Sequence, residues 1–161
     1  MAHYAAKAGN AEALVHVMDN YPDFGEEEFG SVSSGTTPVH LAAEKGHELS
    51  LTILFSKVPD ANILDRHGRT PLHFAARNGH VQVVEYLLRN GANVDVHDKK
   101  TGRTPMHEAA ENGHKACVSL LLEHTEDASV VDSPDSKGRT PLMLAAAKGL
   151  DNVIICLMQN G

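Results

Sequence analysis

Between residues 81 and 90 the apolar side chains Val83, Val84, Tyr86, Leu87 and Leu88 fall on more than one face of a helix, a broader surface than a helix with one solvent side shows. Such a helix needs cover on two sides. The same spacing returns at Ser50, Leu51, Ile53, Leu54 and Phe55, at Cys117, Val118, Leu120, Leu121 and Leu122, and at Val153, Ile154, Cys156, Leu157 and Met158. These positions form the expected core. Ahead of each set lies a shorter segment that opens on Thr37-Pro38-Val39-His40, Thr70-Pro71-Leu72-His73, Thr104-Pro105-Met106-His107 or Thr140-Pro141-Leu142-Met143. Each then passes through paired alanines and closes on Gly46, Gly79, Gly113 or Gly149.

Threonine before proline predicts a helix start. The hydroxyl can accept a bond from an unpaired first-turn amide, and proline at the first helical position gives up no needed donor. The alanine pairs let a neighbouring helix approach closely, and a glycine such as Gly79 permits the left-handed backbone that ends the helix. A second helix begins near His80 and closes at Asn90-Gly91, and a polar stretch with Asp98 and Gly102 predicts a tight turn before the next Thr104-Pro105.

The starts lie 33, 34 and 36 residues apart, so the unit is a pair of short antiparallel helices with a hairpin-like turn. One such pair cannot bury its own apolar surface and must stack on the next. The predicted fold is therefore all-α, a solenoid of helix-turn-helix units filling residues 1–161 as one domain. About four full units begin near residues 36, 66, 99 and 136. A partial unit, marked by His3-Tyr4-Ala5-Ala6 and Gly9, covers residues 1–21, and an acidic loop over 22–35 separates it from the rest. The first unit lacks its helix start, and Ile154, Ile155, Cys156 and Met158 lack a polar capping sequence, so the chain reads as a piece of a longer array.

Composition narrows the function. A formal net charge of -7 repels phosphate backbones, which argues against nucleic acid as a partner. No apolar run reaches the ~18 to 20 residues that cross a bilayer, and no signal-peptide pattern opens the chain, so direct membrane insertion is not expected. The two cysteines, Cys117 and Cys156, lie far apart at interior helix positions and read as small core residues in a cytoplasmic or nuclear protein.

Eleven histidines invite a metal or catalytic reading, but His3, His40, His73 and His107 share one repeat position and His47, His80 and His114 another. That recurrence points to an architectural role, tying neighbouring units through the ring nitrogens. His107-Glu108-Ala109-Ala110-Glu111 has glutamate where a zinc-protease motif needs its second histidine, and no phosphate-loop or esterase motif occurs. The expectation is no catalytic site, no cofactor and no metal.

The run Gly68-Arg69-Thr70-Pro71-Leu72-His73-Phe74-Ala75-Ala76 followed by Asn78-Gly79-His80 resembles an ankyrin repeat, and the resemblance covers nearly the whole chain. It departs at Val58 and Thr125, which replace a glycine, at Met143 and Leu150, which replace histidines, and in the stretch 22–35. The resemblance implies a protein-binding scaffold whose turn tips and first-helix ends line a concave face. Those positions carry Glu44 and Lys45 in the first full unit, then Arg66, His67, Arg69, Arg77 and Asn78. They continue as Lys99, Lys100, Arg103, Glu108, Glu111 and Asn112, then Lys137, Arg139 and Lys148. Basic residues outnumber acidic ones there, which suits an acidic or phosphorylated segment of a partner protein.

The loop Pro22 to Gly35, with four acidic residues and two of the four phenylalanines, reads either as a solvated excursion or as a docking element. The resemblance further makes Asn62 a candidate for asparaginyl hydroxylation. The unit lengths and the extended loop are similar to an internal stretch of the regulatory ankyrin repeat subunits of protein phosphatase 6, which implies a scaffold that holds phosphatase subunits. The alternatives are a cytosolic ankyrin tether of a membrane channel and, third, an enzyme.

Overall fold

A computed structural model of the chain describes residues 1–20, 35–125 and 128–160. Of the acidic loop read over 22–35, all but Gly35 lies outside the described residues. Among the described residues ten α-helices form five antiparallel pairs: α1 (Ala2–Ala8) with α2 (Ala11–Asn20), α3 (Pro38–Lys45) with α4 (Glu48–Phe55), and α5 (Pro71–Asn78) with α6 (Val81–Arg89). The series continues with α7 (Pro105–Glu111) and α8 (Lys115–Glu123), then α9 (Pro141–Ala147) and α10 (Asp151–Asn160). No strand occurs among the described residues, and none of their helices is long and apolar enough to cross a membrane.

The odd-numbered helices stack in one row and the even-numbered helices in a second, each touching its counterpart in the next pair. The close inner row follows from its alanines: Ala42, Ala43, Ala75, Ala76, Ala109 and Ala110 are fully buried, so neighbouring backbones pack with little between them. Outer-row Leu51, Leu54, Val84, Leu87, Val118 and Leu121 fill the space behind and join one continuous core. The fifth position of the apolar pattern departs from expectation. Phe55 and Leu88 are buried there, Leu122 is half-buried, and Met158 is 68% exposed on the outer side of α10. Tyr86 is half-buried as well, its ring edge-on to Phe55 at 5.5 Å. Cys156, read as uncovered in sequence, is buried, whereas Ile155 beside it is 52% exposed.

Each inner helix after the first starts at an extended threonine with proline next, as at Thr70 (φ -90, ψ 164). The expected hydroxyl-to-amide bond occurs at Thr140, whose Oγ1 accepts from Met143 N at 3.3 Å. Where histidine stands at the fourth position, its ring joins the cap. His73 Nδ1 accepts from Thr70 N at 3.1 Å and lies 2.9 Å from the Thr70 hydroxyl, and His40 and His107 do the same with Thr37 and Thr104. The opposite nitrogen reaches the following unit: Nε2 donates to the carbonyl of Arg69 from His40, of Arg103 from His73 and of Arg139 from His107, at 3.0 to 3.1 Å. His3 makes the same forward bond to Thr36 O. Because a carbonyl oxygen only accepts, the proton must sit on Nε2, and the neutral ring spans two units.

The second histidine series points backward. His47 donates to Lys7 O, His80 to Glu44 O and His114 to Arg77 O, at 2.9 to 3.2 Å. Gly79 serves this arrangement twice. Its φ of 73 is the left-handed value that ends α5, and a Cβ there would stand 2.5 Å from His114 Nδ1. In the last pair both histidines are replaced, by an exposed Met143 and by Leu150, which packs where a Cβ on Gly113 would lie 3.2 Å away.

Candidate functional site

The turns ahead of α5, α7 and α9 are organised by buried aspartates that composition alone does not single out. Asp65 accepts from His67 N and Arg69 N, and Asp135 from Lys137 N and Arg139 N, in each case through Oδ1 at 2.8 to 3.0 Å. The second oxygen of each takes the arginine four residues on: Arg69 Nε and Nη2 at 2.9 and 2.7 Å, Arg139 Nε and Nη2 at 3.0 and 2.7 Å. Burial works to raise the Asp135 carboxyl, but the hydrogen bonds and charge of Arg139 outweigh it and hold the group far below the usual carboxylate range. Neighbouring turns are joined by Lys99 N donating to His67 O at 2.7 Å and Ser136 N to Thr101 O at 2.8 Å.

The middle turn is one residue longer, and its wiring differs. Asp98 Oδ1 accepts from Lys100 N and Thr101 N, while Oδ2 accepts from the Thr101 hydroxyl and from Arg103 N. Desolvation pushes Asp98 upward, and the Thr101 bonds, ahead of those from Lys100 N and Arg103 N, bring it net below its ordinary value. With Asp98 satisfied from inside its own turn, the Arg103 side chain runs across to α7. There Nη1 and Nη2 donate to Glu111 at 2.6 and 3.1 Å. That pair raises Arg103 and lowers Glu111. Glu108, one turn earlier on α7, stands 3.7 Å from Arg103 Nη1 and 3.8 Å from Arg77 Nε; burial holds its carboxyl above the usual range in spite of both cations.

These groups line an open cavity of about 470 Å³ between the turn tips and the ends of α5, α7 and α9. Nine of the sixteen residues expected on the binding face meet there. His67, Arg69 and Arg77 come from the second full unit, Lys100, Arg103, Glu108, Glu111 and Asn112 from the third, and Lys148 from the last. Arg69 also lies over the Phe74 ring at 4.5 Å from its centroid, which fixes the guanidinium at the groove wall. The two remaining wall residues, Asp98 and Thr101, escaped the sequence reading of the face. Their signal was the 34-residue spacing, which marks Thr101 as an insertion, and the recurrence of Asp65, Asp98 and Asp135 before a Gly-Arg-Thr-Pro run.

The other seven residues do not line this cavity. Glu44 and Lys45 pair with each other at 3.1 Å at the end of α3. The stems of Arg66 and Lys99 lie against the preceding turn, where a Cβ on Gly35 or Gly68 would meet their Cγ at 2.7 and 2.8 Å. Arg139 folds onto Asp135, Asn78 donates to Phe74 O at 2.8 Å, and Lys137 stays exposed on its turn. Asn62 lies after α4, exposed, with both ends of its carboxamide engaged. Nδ2 donates to Gly91 O at 2.9 Å, and Oδ1 accepts from Asn93 N at 2.8 Å.

Burial lifts the Cys117 thiol to about 11, so it is protonated at neutral pH and a poor nucleophile. Cys156 lies 3.3 Å from the Ser119 hydroxyl, inside the core. Among the described residues no three His, Cys, Asp or Glu side chains converge in a way that could hold a metal ion.

The family model described as "Ankyrin repeats (3 copies)" matches residues 2–98 and again residues 90–161. Among curated proteins, the human "Neurogenic locus notch homolog protein 2" and its mouse counterpart are each 36% identical to this chain over 99 residues. The aligned stretch is 60% of this chain and 4% of either relative.

Proposed function

The chain belongs to the ankyrin repeat family, and from that premise we propose that it is a protein-binding scaffold whose groove between turn tips and inner helices takes an acidic segment of a partner. Ankyrin repeats bind other proteins, and the matched family is not a catalytic one. The observation that carries the acidic preference is the charge of the groove. Arg69, Arg77, Lys100, Arg103 and Lys148 share the wall with three carboxylates, and with the charge of Arg69 taken up by Asp65 behind it the wall still keeps an excess of one positive charge in a chain whose formal net charge is -7. Asp98 is already saturated by its turn, and Arg77 is 60% exposed with a 3.8 Å pairing to Glu108. Cations held at a wall by packing, with their charge open to the groove, attract and orient an anionic segment.

The test uses Arg77→Glu, Lys100→Glu and Lys148→Glu together, at positions that carry no part of the core. A fluorescein-labelled Asp/Glu-rich peptide is expected to bind the wild-type chain and to lose roughly 100-fold in affinity with the triple variant, with affinity falling steeply as salt rises. Equal affinity for both chains would reject the groove as the site.

A finer form of the proposal follows from the resemblance to the regulatory subunits of protein phosphatase 6. The chain would be a segment of a cytoplasmic or nuclear scaffold that holds phosphatase subunits, and capture from lysate would recover the catalytic subunit with the wild-type groove and not with the reversed one. The cysteine usage, two buried thiols and no disulfide among the described residues, supports a reducing compartment.

Asn62 adds a modification to this reading. Its carboxamide bridges two turns, so a hydroxylase would have to open the Gly91 and Asn93 bonds first. Incubation with an asparaginyl hydroxylase is expected to add one oxygen to the intact mass, and Asn62→Ala to abolish the gain; an unchanged wild-type mass removes the site.

A further inference from the structure

Resting on the groove as the site for an acidic segment, we propose that the part of it bounded by the long middle turn is a subsite for a phosphorylated side chain, a dianion, in preference to a carboxylate. The starting point is the comparison of three turns within one molecule. In the two shorter turns aspartate and arginine close on each other, Asp65 with Arg69 and Asp135 with Arg139, so each guanidinium is spent on its own turn. The extra residue, Thr101, breaks that pattern. Its hydroxyl occupies Asp98 Oδ2, and Arg103 is released into the groove.

There Arg103 is held by an exchangeable partner. Glu111 keeps 24% of its side chain exposed while it accepts both guanidinium bonds, so an incoming anion with better geometry can take its place. Arg103 Nε is buried and makes no hydrogen bond, standing 3.7 Å from Asp135 Oδ2. With Nε turned toward Asp135, an incoming anion meets Nη1 and Nη2, and a phosphoryl group then has a third oxygen left for a lysine of the wall where a carboxylate has none.

The surroundings fit the same group. Among the described residues no side-chain hydrogen bond or ion pair engages Lys100 or Lys148, both of which line the cavity. A cavity of about 470 Å³ holds a phosphoserine and part of its flanking backbone.

Two fluorescein-labelled acidic peptides, identical except for phosphoserine or glutamate at the central position, test the proposal by fluorescence anisotropy at pH 7.5, where the phosphate is a dianion. The phosphopeptide is expected to bind about tenfold more tightly, the worth of one added charge-assisted hydrogen bond. Glu111→Gln, which removes the competitor for Arg103, should tighten the phosphopeptide further and leave the glutamate peptide nearly unchanged. Deletion of Thr101 restores the short turn and should erase the discrimination, as Asp98 recaptures Arg103. Thr101→Val keeps the turn length, removes only the hydroxyl, and should act in the same direction if the deletion fails to fold. Equal affinity for the two peptides overturns the dianion subsite while leaving the acidic-segment reading intact. Binding of neither peptide ends both. Discrimination that survives loss of the Thr101 hydroxyl, or that Glu111→Gln fails to increase, also rejects the proposal.

Discussion

Lowering the pH from 7.5 to 4 is expected to destabilise the fold and to make unfolding take up protons, at His40, His73 and His107. All three rings are buried and neutral, with Nδ1 accepting at the cap of one unit and Nε2–H donating to the next. Adding a proton places a donor on Nδ1 opposite the threonine N–H and puts a charge out of reach of water. Desolvation is the dominant cause and lowers all three; for His73 it prevails over the bond to Arg103 O and the charge of Asp98, with Arg69 acting in the same direction as burial, and brings the ring to about 4.

The sign follows from comparing the two states. In the unfolded chain these histidines titrate near 6.5, so below that pH the unfolded state binds more protons than the folded one. Their stabilisation is complete above the unfolded value and shrinks as pH falls through the interval from 6.5 to about 4, and for His73 alone the loss amounts to ~3 kcal/mol at the lower end. Glu108, whose carboxyl is raised by burial, acts in the opposite sense, since its protonation relieves a cost. The aspartates Asp65, Asp98 and Asp135 are lowered, so their contribution is present above the ordinary carboxylate value and is lost only in more acid solution, as a second phase. Urea midpoints measured in steps across this range check the claim. His73→Gln should flatten the histidine phase by about one proton, and a stability that stays level from pH 7.5 to 5 would show that the rings do not bridge units as neutral groups.

The parts of this architecture that were legible in sequence are those decided by a few neighbouring residues. Thr70-Pro71 fixes a helix start whatever surrounds it, and Gly79 ends that helix because its φ of 73 is available to glycine at little cost. The histidines could be assigned to the architecture by their recurrence. Their directions could not, because forward and backward bonds differ only in which unit's carbonyl lies in reach once the helices have stacked. Charge at recurring positions located most of the groove wall, yet of Arg69, Arg103 and Arg139, which occupy the same repeat position, the first and last fold onto their own turn's aspartate and Arg103 reaches Glu111. One inserted threonine hydroxyl decides between them; the 34-residue spacing betrays the insertion, but not that its hydroxyl takes the place of the arginine on Asp98. Arg66 and Lys99 show the converse: their side-chain stems cover a neighbouring turn, a contact set by the packing of turns on each other and not by charge.

Leu87→Ala is expected to cost ~2 to 5 kcal/mol, the range for removing a large side chain from a closed core. Leu87 has no exposed surface in α6, which packs on α5 of its own pair and on α4 and α8 of the neighbours. The equivalent Leu54 and Leu121 are likewise fully buried, so the three leucines form a line through the outer row. The cavity left by the substitution would open at the centre of a fold whose stability is a sum of unit and nearest-neighbour terms, weakening two interfaces at once. Leu49→Ala provides the comparison: the side chain is 65% exposed at the start of α4, and its loss should stay within roughly 0.5 kcal/mol. Equilibrium urea unfolding separates the two readings, because an apolar stripe that merely coats the surface would make the substitutions alike. A central loss of this size should also decouple the two ends, broadening the transition or splitting it in two, with circular dichroism retaining helix on the more stable side of the break. A cost below about 1 kcal/mol with an unchanged single transition would mean that α6 does not transmit stability between its neighbours.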